Sequence, residues 1–339
     1  MFKSTKEIDA IRRRCNDVEN ELIGELLAGR IARREFLRHG AVLGISAPLA
    51  AGLAGCADAP SYPLDLVPGA AAAYSYRKLA NVYAGKAANV QRGSDRTLQE
   101  IGFNGVHFDA AGFNIFTGGS GGWTAKWYDQ SGNGNDQVQS ARGQQPIITS
   151  FSSPTNYGGV TGGAINQFMS CADSASTQSL WANGGFAAFV YDVTQGGTGP
   201  IISKGTSGSG WLIFSYLNGA TYQLLLYLKA ATTAGFTWVS NAVSTRARHV
   251  VTVAWNASSA STPATITLDG VVCGYKSTAT PVGSFSDVGG GLECYNDMVI
   301  DTNNTALVGS VFEVMLWNRI PSATAQARLV KNMRAYYGV

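Results

Sequence analysis

The sequence predicts an all-β protein, a sandwich or a barrel, that ends in a single helix. Short runs of β-branched and aromatic residues recur from Ala70 onward and are separated by Gly, Asn and Ser, which is typical of many short strands. The clearest runs are FAAFVYDV (186–193), WLIFSYL (211–217), YQLLLYLK (222–229), RHVVTVAW (248–255) and ATITLDGVVCGY (264–275). In the last run Asp269 and Gly270 indicate a tight hairpin, because these residue types adopt the positive φ angles of such turns. Strands at this spacing favour a sandwich or a barrel.

The C-terminal segment has a different periodicity. The run SVFEVMLWNR (310–319) predicts one more strand, and IPSATAQARLVKNMRAYYGV follows it. Ser322 is the expected N-cap of a helix, since a serine hydroxyl can accept a bond from a free backbone N–H of the first turn. Leu329, Met333 and Tyr336 form the predicted apolar stripe. A helix therefore closes the β fold.

The first 55 residues have the composition of an export signal. Residues 1–39 carry nine Lys/Arg and seven Asp/Glu, Arg33 and Arg34 precede an apolar run, and residues 40–55 carry no charge. This order matches a charged n-region, a short h-region and a small-residue processing site. The apolar run is shorter than the roughly 20 residues that a stable membrane span requires. We therefore expect a signal peptide over residues 1–55, with an ordinary amphipathic helix as the alternative.

Arg33 and Arg34 resemble the pair of a twin-arginine signal, although Ala32 stands where that pattern has Ser or Thr. Leu53-Ala54-Gly55-Cys56 resembles a lipobox, in which Cys56 would be lipidated; an ordinary thiol after an ordinary cleavage site is the alternative. These resemblances imply the twin-arginine export machinery as a partner and a membrane attachment through a lipid anchor. The expected location is the periplasm or, since Ala57 follows the cysteine in place of Asp, the outer membrane or cell surface.

The part after the signal is nearly neutral. Of the 25 Lys/Arg and 22 Asp/Glu in the whole chain, 16 and 15 remain after residue 39, so no basic patch predicts nucleic-acid binding. No linker divides the chain after Pro68, and we expect a short tether over 56–68 and one domain over 69–339. Cys273 and Cys294 are the most local candidates for a disulfide; buried free thiols are equally compatible with the sequence. No metal site and no cofactor are predicted.

The run WYDQSGNGNDQ, Trp127 to Gln137, is dense in turn-forming and metal-capable residues. Asp129, Ser131 and Asn133 fall at the first, third and fifth places of a calcium loop, but Ser140 stands at the twelfth place, where a Glu is required. The favoured interpretation is a tight connection in which Asp and Asn side chains bond to the backbone.

Aromatic faces beside planar polar groups are features of ligand-binding surfaces. Trp255 and Trp317 lie in apolar strands and are expected in the core, whereas other tryptophans adjoin Gly, Asn or Ser. We expect a substrate-binding groove built from these and from residues that flank one turn: Trp181, Trp211, Trp238, Tyr216, Asn218 and Tyr222, with Trp123 as a further candidate.

Four segments in order carry a family resemblance: YSYRKLANVYAGKAANVQRGSD, LQEIGF, WYDQSGNGND and GSVFEVMLWNRIPS. Together they resemble the catalytic domain of α-L-arabinofuranosidase B, within the concanavalin A-like lectin and glucanase superfamily. The resemblance implies a concanavalin A-like jelly-roll sandwich of two antiparallel sheets. It also implies retaining glycoside hydrolysis, which requires two carboxyl groups about 5–5.5 Å apart.

The residues that carry this chemistry in the family are not matched. The resemblance places the nucleophilic Glu in GPIISKGTSGSGW (199–211), where the chain has no acid, and residues 193–268 contain neither Asp nor Glu. The family's vicinal cysteines are replaced at about Pro200 to Ile202. For the second acid, Leu292 occupies the matching place and Glu293 lies beside it. The candidate catalytic residues, if the protein is an enzyme, are Glu293, Asp297 and Asp192; Glu313 is expected to pair with a buried Arg.

Three functions follow from these observations. The first is a carbohydrate-binding or surface module with a degenerate arabinofuranosidase-like sandwich, whose partner is a glycan or polysaccharide. The second is an active retaining glycoside hydrolase of the α-L-arabinofuranosidase type that acts on arabinose-containing polysaccharide. The third is a non-glycan adhesion or structural domain.

Overall fold

The structure is a computed structural model of the chain. It describes residues 20–21, 23, 62–119, 121–148, 160–162, 167–178, 180–181, 184–192, 199–206, 209–218, 221–229, 236–243, 247–256, 264–278, 287, 289–294 and 309–339. The chain divides into two compact units, residues 1–61 and 62–339. Within the first unit only Asn20, Glu21 and Ile23 are described, and they are helical. The predicted signal residues Arg33, Arg34 and Cys56 lie outside the described residues.

Most described elements of the second unit are β-strands. The helices are α1 (Pro63–Leu66), α2 (Ala110–Thr117) and α3 (Ala323–Tyr337), with one 3₁₀ turn at Arg142–Gln144. The strands are β1 (Ala72–Ser75), β2 (Ala88–Arg92), β3 (Leu98–Ile101), β4 (Phe103–Asn104), β5 (His107–Phe108), β6 (Gly122–Trp127), β7 (Gln137–Val138), β8 (Ile147–Ile148), β9 (Val160–Gly162), β10 (Met169–Cys171), β11 (Gly185–Asp192), β12 (Gly199–Thr206), β13 (Ser209–Asn218), β14 (Thr221–Lys229), β15 (Phe236–Ser240), β16 (Arg248–Trp255), β17 (Ala264–Leu268), β18 (Val271–Val272), β19 (Tyr275–Thr278), β20 (Leu292–Cys294) and β21 (Gly309–Trp317).

The strands form two antiparallel layers. Sheet I runs from β1 and β9, which share one edge of β21, through β21, β11, β16 and β17 to β18. Sheet II has the order β3-β2-β6-β7-β10-β20-β12-β13-β14-β15-β19. The short strand β8 bonds to β6 and to β9 and thus joins the sheets, while β4 and β5 form a separate hairpin. The predicted all-β sandwich with a C-terminal helix is confirmed.

Side-chain alternation along β11 separates two hydrophobic clusters. Ala187 and Phe189 belong to the cluster between the sheets, which also contains Trp127, Trp211 and Leu226 of sheet II. The intervening residues Phe186, Ala188 and Val190 belong to a second cluster, on the outer side of sheet I. Because successive strand residues point to opposite faces, sheet I is buried on both sides. Its strands accordingly contain almost continuous apolar runs.

Helix α3 covers the outer side of sheet I. Its N-cap is Ser322, whose hydroxyl accepts a bond from the Ala325 N–H at 3.3 Å, as the sequence predicts. Leu329 and Met333 are buried, but Tyr337 completes the stripe and Tyr336 is only half-buried. A spacing of four residues keeps side chains on one helix face, which explains this correction to the predicted stripe.

The folded unit begins before the predicted domain boundary at residue 69. Helix α1 lies within the segment that the sequence assigns to a tether, yet Leu64 and Val67 are buried against the cluster that contains Leu329. Trp317 fixes this segment, since its indole N–H donates to the Val67 carbonyl at 3.2 Å. Residues 62–68 are therefore part of the folded body.

Candidate functional site

Glu293 lies on the outer face of sheet II. It is the middle residue of β20, and its cross-strand partners are Ser170 on one side and Ser203 on the other. Its neighbours Leu292 and Cys294 are fully buried between the sheets. By alternation, the Glu293 side chain points away from that core, between the two serines. It is only 7% exposed. One candidate acid thus occupies the outer face of sheet II.

Asp192 lies at the end of β11 on the opposite side of the molecule. Its cross-strand partner is Arg248, whose guanidinium lies 4.3 Å from the ring centroid of Phe312 in the helix-covered cluster. Asp192 therefore belongs to the outer side of sheet I. Burial raises the pKa of its carboxyl above the ordinary value, and the charges of Arg248 and His249 only partly oppose this.

The sandwich therefore separates these two acids. Packed sheets lie about 10 Å apart, and Glu293 and Asp192 point outward from different sheets. A retaining glycosidase requires its two carboxyl groups about 5–5.5 Å apart. Asp297, the third predicted acid, lies outside the described residues. The structure does not bring Glu293 and Asp192 together, which corrects the expectation that they share an active site.

Glu313 has a structural role. Its carboxylate receives two bonds from Arg77, Nε to Oε2 at 2.5 Å and Nη2 to Oε1 at 2.8 Å, and one from the Tyr337 hydroxyl at 3.0 Å. Arg77 is 4% exposed and Glu313 is fully buried. The predicted pairing with a buried Arg is confirmed, and Glu313 holds sheet I to helix α3 and to the segment after β1.

The segment that the resemblance matches to the nucleophile forms the hairpin of β12 and β13, and it contains a buried cation. Lys204 is fully buried, and its ammonium donates to Asp173 Oδ1 at 2.8 Å, to the Asp287 carbonyl at 2.9 Å and to the Gly290 carbonyl at 2.8 Å. All three ammonium donors are thereby used. Such complete bonding is what a buried charge requires.

Two aspartates that the sequence did not single out contact this lysine, Asp173 through its carboxylate and Asp287 through its backbone carbonyl. Burial opposes ionisation of Asp173, but its bonds from Lys204 and from the Gly289 N–H lower its pKa below the ordinary value. Asp287 is 1% exposed, and its Oδ2 accepts bonds from the Leu180 N–H and the Trp211 indole, both at 3.1 Å. A lowered pKa is the opposite of what a general acid requires at neutral pH. The cluster therefore has a structural role: it holds β12 to the segments that contain Asp173, Asp287 and Gly290.

The predicted aromatic groove is largely a core feature. Trp181 and Trp211 are fully buried and stack at 4.6 Å between ring centroids with an interplanar angle of 11°. Tyr222 and Trp238 are each 6% exposed and belong to the cluster between the sheets. For Trp211 and Tyr222 this follows from alternation, since the odd residues of β13 and the even residues of β14 point inward. These four residues therefore do not line an exposed groove, which corrects the prediction.

Tyr216 is the predicted residue that remains accessible, at 42% exposure. Phe214 precedes it by two positions on the same outer face, and Leu225 and Tyr227 of β14 lie beside them. Phe214, Leu225 and Tyr227 are half-buried. This set, Phe214, Tyr216, Leu225 and Tyr227, is called the aromatic surface below. Asn218 ends β13, and its side chain lies outside the described residues.

The aromatic surface and Glu293 share one face of sheet II. The register connects Glu293 to Ser203, Ser203 to Leu212, and Leu212 to Tyr227. These are three strand spacings, or about 14 Å at roughly 4.8 Å per spacing. Between them Ser203 and Leu212 are fully buried, so Glu293 and the accessible rings point to the same side of sheet II but are not joined by an exposed surface.

Trp123, the further candidate, is half-buried on β6. The guanidinium of Arg142 lies 4.6 Å from its ring centroid, and Arg142 Nη2 also donates to the Gly93 carbonyl at 2.9 Å. A side chain at Gly93 would place its Cβ 2.6 Å from the Trp123 ring. The ring is thus packed between Arg142 and Gly93.

The structure also corrects the candidate disulfide. Cys171, Cys273 and Cys294 are free thiols, and Cys294 lies fully buried in β20. Burial, followed by the charge of nearby Cys171, raises the pKa of Cys294. Cys273 is only partly buried, beside the hairpin at Gly270. The Cys294 thiol behaves as a small apolar core residue.

The turn-rich run around Asp129 bonds to its own backbone and to β1. Asp129 Oδ1 accepts from the N–H groups of Ala73 and Ser131, both at 2.9 Å, and Oδ2 accepts from the Asn135 N–H at 3.0 Å. Asn135 in turn donates to the Ala71 carbonyl at 2.8 Å. The carboxylate is occupied by N–H donors, so the run is a structural connection.

In the described ranges, no group of three or more His, Cys, Asp or Glu is placed to hold a metal ion. Among those same residues, no helix has both the length and the apolar character needed to cross a bilayer.

Comparison with known proteins supports the β-sandwich fold. The family model described as the catalytic domain of α-L-arabinofuranosidase B matches residues 62–179. A solved arabinofuranosidase complexed with arabinofuranosyl-α-1,2-xylobiose matches with a TM-score of 0.57 and 15% identity, over 82% of this chain and 65% of that chain. A search of curated proteins found no match.

Two further structures give a TM-score of 0.57 at 16% identity, over 82% of this chain and 66% of theirs. They are an α-L-arabinofuranosidase mutant soaked with 4-nitrophenyl α-L-arabinofuranoside and an α-L-arabinofuranosidase soaked with a cyclic sulfate inhibitor. The chain thus spans slightly less than two thirds of each solved protein. The fold is an arabinofuranosidase-like β-sandwich, and residues 62–179 are those similar to the catalytic domain.

Proposed function

We propose that the chain is an exported, lipid-anchored glycan-binding module whose arabinofuranosidase-like sandwich does not hydrolyse its ligand. The separation of Glu293 and Asp192 on opposite outer faces carries this proposal. A covalent glycosyl intermediate requires a nucleophile beside the general acid. The hairpin matched to that nucleophile contains Lys204 in place of an acid.

The outer face of sheet II is the proposed glycan-binding surface. Tyr216 presents an exposed ring, and the half-buried Phe214 and Tyr227 extend the apolar area. Aromatic rings of this kind pack against the C–H faces of sugars while a polar rim bonds the hydroxyls. We expect an arabinose-containing polysaccharide as the ligand, by analogy with the substrates of the similar enzymes.

The location belongs to the same proposal. Residues 40–55 form an uncharged run between Arg33, Arg34 and Cys56, which supports export through the twin-arginine machinery and lipidation of Cys56. The module would then display its binding face at the periplasmic side of a membrane or at the cell surface. Labelling of the full chain with a radioactive fatty acid, lost in Cys56→Ser, tests this part.

Binding is tested by calorimetry of the purified full chain with arabinan and arabinoxylan, and with unsubstituted xylan for comparison. We expect binding to the arabinose-containing polymers and at least about tenfold weaker binding for Tyr216→Ala, as follows the loss of one aromatic anchor. Val271→Ala is the control, since Val271 is 71% exposed at the edge of sheet I. No binding to any glycan would overturn the proposal in favour of a non-glycan adhesion role.

The alternative function is an active retaining α-L-arabinofuranosidase. Its support is the match of residues 62–179 to the catalytic-domain family. Release of nitrophenol from 4-nitrophenyl α-L-arabinofuranoside, abolished by Glu293→Gln, would establish hydrolysis and overturn the binding-only proposal. We expect no release above that of buffer.

A further inference from the structure

A polar cleft lies at the β3 edge of sheet II, remote from the aromatic surface in strand order. Its volume is about 410 Å³, within the range of about 300–1,000 Å³ that is common for small-molecule sites. The side chains that matter for its chemistry are those of Lys78, Tyr83, Lys86, Glu100, Phe103 and Asp109.

One wall of the cleft is a closely packed turn. The Tyr83 hydroxyl donates to the Lys86 carbonyl at 2.9 Å, and the Tyr83 ring meets Phe103 edge-on at 6.2 Å between centroids. A Cβ at Gly85 would lie 2.4 Å from the Tyr83 hydroxyl oxygen. Glycine at this place therefore lets the tyrosine ring fold over the turn. The ring forms one side of the cleft, although most of the exposed lining is polar.

Lys86 lies beside Gly102, which directly follows β3. A Cβ added at Gly102 would be 3.5 Å from Lys86 Cδ and 3.9 Å from its Nζ. Because Gly102 has no side chain, the aliphatic part of Lys86 can pack over it, and the ammonium group lies at the cleft. Lys78 contributes a second ammonium, which lies 5.7 Å from the ring centroid of Tyr62.

The acids of the cleft accept hydrogen bonds from other residues of the fold. Glu100 Oε1 accepts from the Tyr128 hydroxyl at 2.5 Å, and Asp109 Oδ1 accepts from the Gly112 N–H at 2.9 Å as the cap of α2. Within the ranges that the structure describes, neither Lys78 nor Lys86 forms an ion pair. The two ammonium groups can therefore pair with a carboxylate of a ligand, while Glu100 and Asp109 keep their negative charges and can accept bonds from its hydroxyl groups.

We propose that this cleft binds a uronic acid residue, with Lys78 and Lys86 holding the sugar carboxylate and Tyr83 packing against the ring. The exposed side chains of Gln99 and Glu100 supply acceptors for hydroxyl groups. The size of the cleft suits one sugar ring, and its mixture of cations, a ring and acceptors matches a carboxylate-bearing sugar better than a simple ion.

The position of the cleft extends the proposed binding face. The register runs from Glu100 through Asn89, Lys126, Val138 and Ser170 to Glu293. Five spacings of roughly 4.8 Å amount to about 24 Å. A branched acidic polysaccharide can therefore contact the cleft and the outer face of sheet II together. The cleft nevertheless has its own residues and stands independently of the proposed arabinose site.

The test is calorimetric titration of the purified full chain with a short oligogalacturonide, and in parallel with the neutral oligogalactoside of the same length and with sodium acetate. We expect saturable binding of the oligogalacturonide that weakens as salt is added. Lys78→Gln and Lys86→Gln should each weaken binding at least about fivefold, and together more than about twentyfold. Lys276→Gln, which removes an exposed charge from β19, should leave it unchanged.

Absence of oligogalacturonide binding would overturn the proposal, as would equal affinity for acetate or unchanged binding in the double variant. Thermal melting of each variant confirms that it is folded. The two proposals fail separately, because Tyr216→Ala should weaken arabinan binding and leave oligogalacturonide binding intact. If the native chain bound the oligogalacturonide but not arabinan, only the proposed arabinose site would be overturned.

Discussion

The ammonium of Lys204 lies 2.8 Å from Asp173 Oδ1 inside the sandwich, in the strand where the resemblance places a catalytic carboxylate. The lysine is fully buried, whereas the Asp173 side chain is 16% exposed. Its three bonds join β12 to Asp173, which follows β10, and to Asp287 and Gly290, which precede β20. The buried charge in this hairpin is thus a cation that is bonded within the fold.

Removing this ammonium should destabilise the fold strongly. Lys204→Met keeps the length of the stem but leaves Asp173 and the carbonyls of Asp287 and Gly290 without their donor. We expect a loss of about 3–5 kcal/mol in the free energy of unfolding, the usual result of breaking a buried pair from one side. Urea denaturation followed by tryptophan fluorescence measures it.

Lys276→Met is the matched control, since Lys276 is exposed on β19, and we expect it to leave stability nearly unchanged. Equal stability of Lys204→Met and the native chain would show that the ammonium does not hold the hairpin.

The ion pair of Arg77 with Glu313 allows a comparison of buried and exposed pairs. Arg77→Met leaves Glu313 buried and without its two guanidinium bonds, so we expect a loss of about 3–5 kcal/mol. Arg92→Met removes a pair of similar geometry, 2.6 Å from Arg92 to Asp95, but at the surface. Surface pairs contribute little, so its melting temperature should stay close to that of the native chain. Similar losses in the two variants would contradict the structural role of Glu313.

Gly290 should not tolerate a side chain. An ideal Cβ there would lie 2.2 Å from the backbone carbon of Gly205, and two backbone segments cannot separate without breaking the bonds of Lys204. Gly290→Ala should therefore cost about 1–3 kcal/mol, as overpacking does. Gly143→Ala is the control, because nothing lies within 4 Å of a Cβ at that position. Thermal melting of both variants measures the difference, and a native-like Gly290→Ala would show that the two segments can move apart.

The sequence predicts the layers of this fold better than the surroundings of its polar residues. Apolar runs identify β11, β13, β14, β16 and β21 because each strand buries a continuous or alternating face. The exposure of Trp211 was wrongly predicted, since adjacent Gly and Ser residues say less than the alternation of the whole strand. Trp211 shares its inward parity with Ile213, and both are buried.

The candidate acids show the corresponding limit for the site. The resemblance locates Glu293, but the sheet to which Asp192 belongs depends on pairing between β11 and β16, distant in sequence. In the sequence, the Lys204 cluster is indicated only by a lysine within the apolar run PIISKG. A lysine in a buried strand requires acceptors, yet their identity, Asp173 and the carbonyls of Asp287 and Gly290, arises from three separate segments.

Asp192 should give the stability of the protein a pH dependence opposite to that of a paired surface acid. Burial raises its pKa in the folded state above the unfolded value of about 3.9. The folded state then holds the proton more tightly, so stability falls as the pH rises from the unfolded value through the folded one. Asp192→Asn removes this cost, and the variant should melt at a higher temperature than the native chain at pH 7. The difference should shrink as the pH is lowered below about 4.

Asp95 is the control of opposite sign, because its bond from Arg92 lowers its pKa in the folded state. Its contribution is present above the unfolded value of about 3.9 and is lost as the pH falls, so Asp95→Asn should melt slightly lower than the native chain at pH 7. Melting curves of the three proteins between pH 3 and 8 separate the two cases. If Asp192→Asn melted lower than the native chain at pH 7, its carboxylate would be stabilised by Arg248 more than it is penalised by burial.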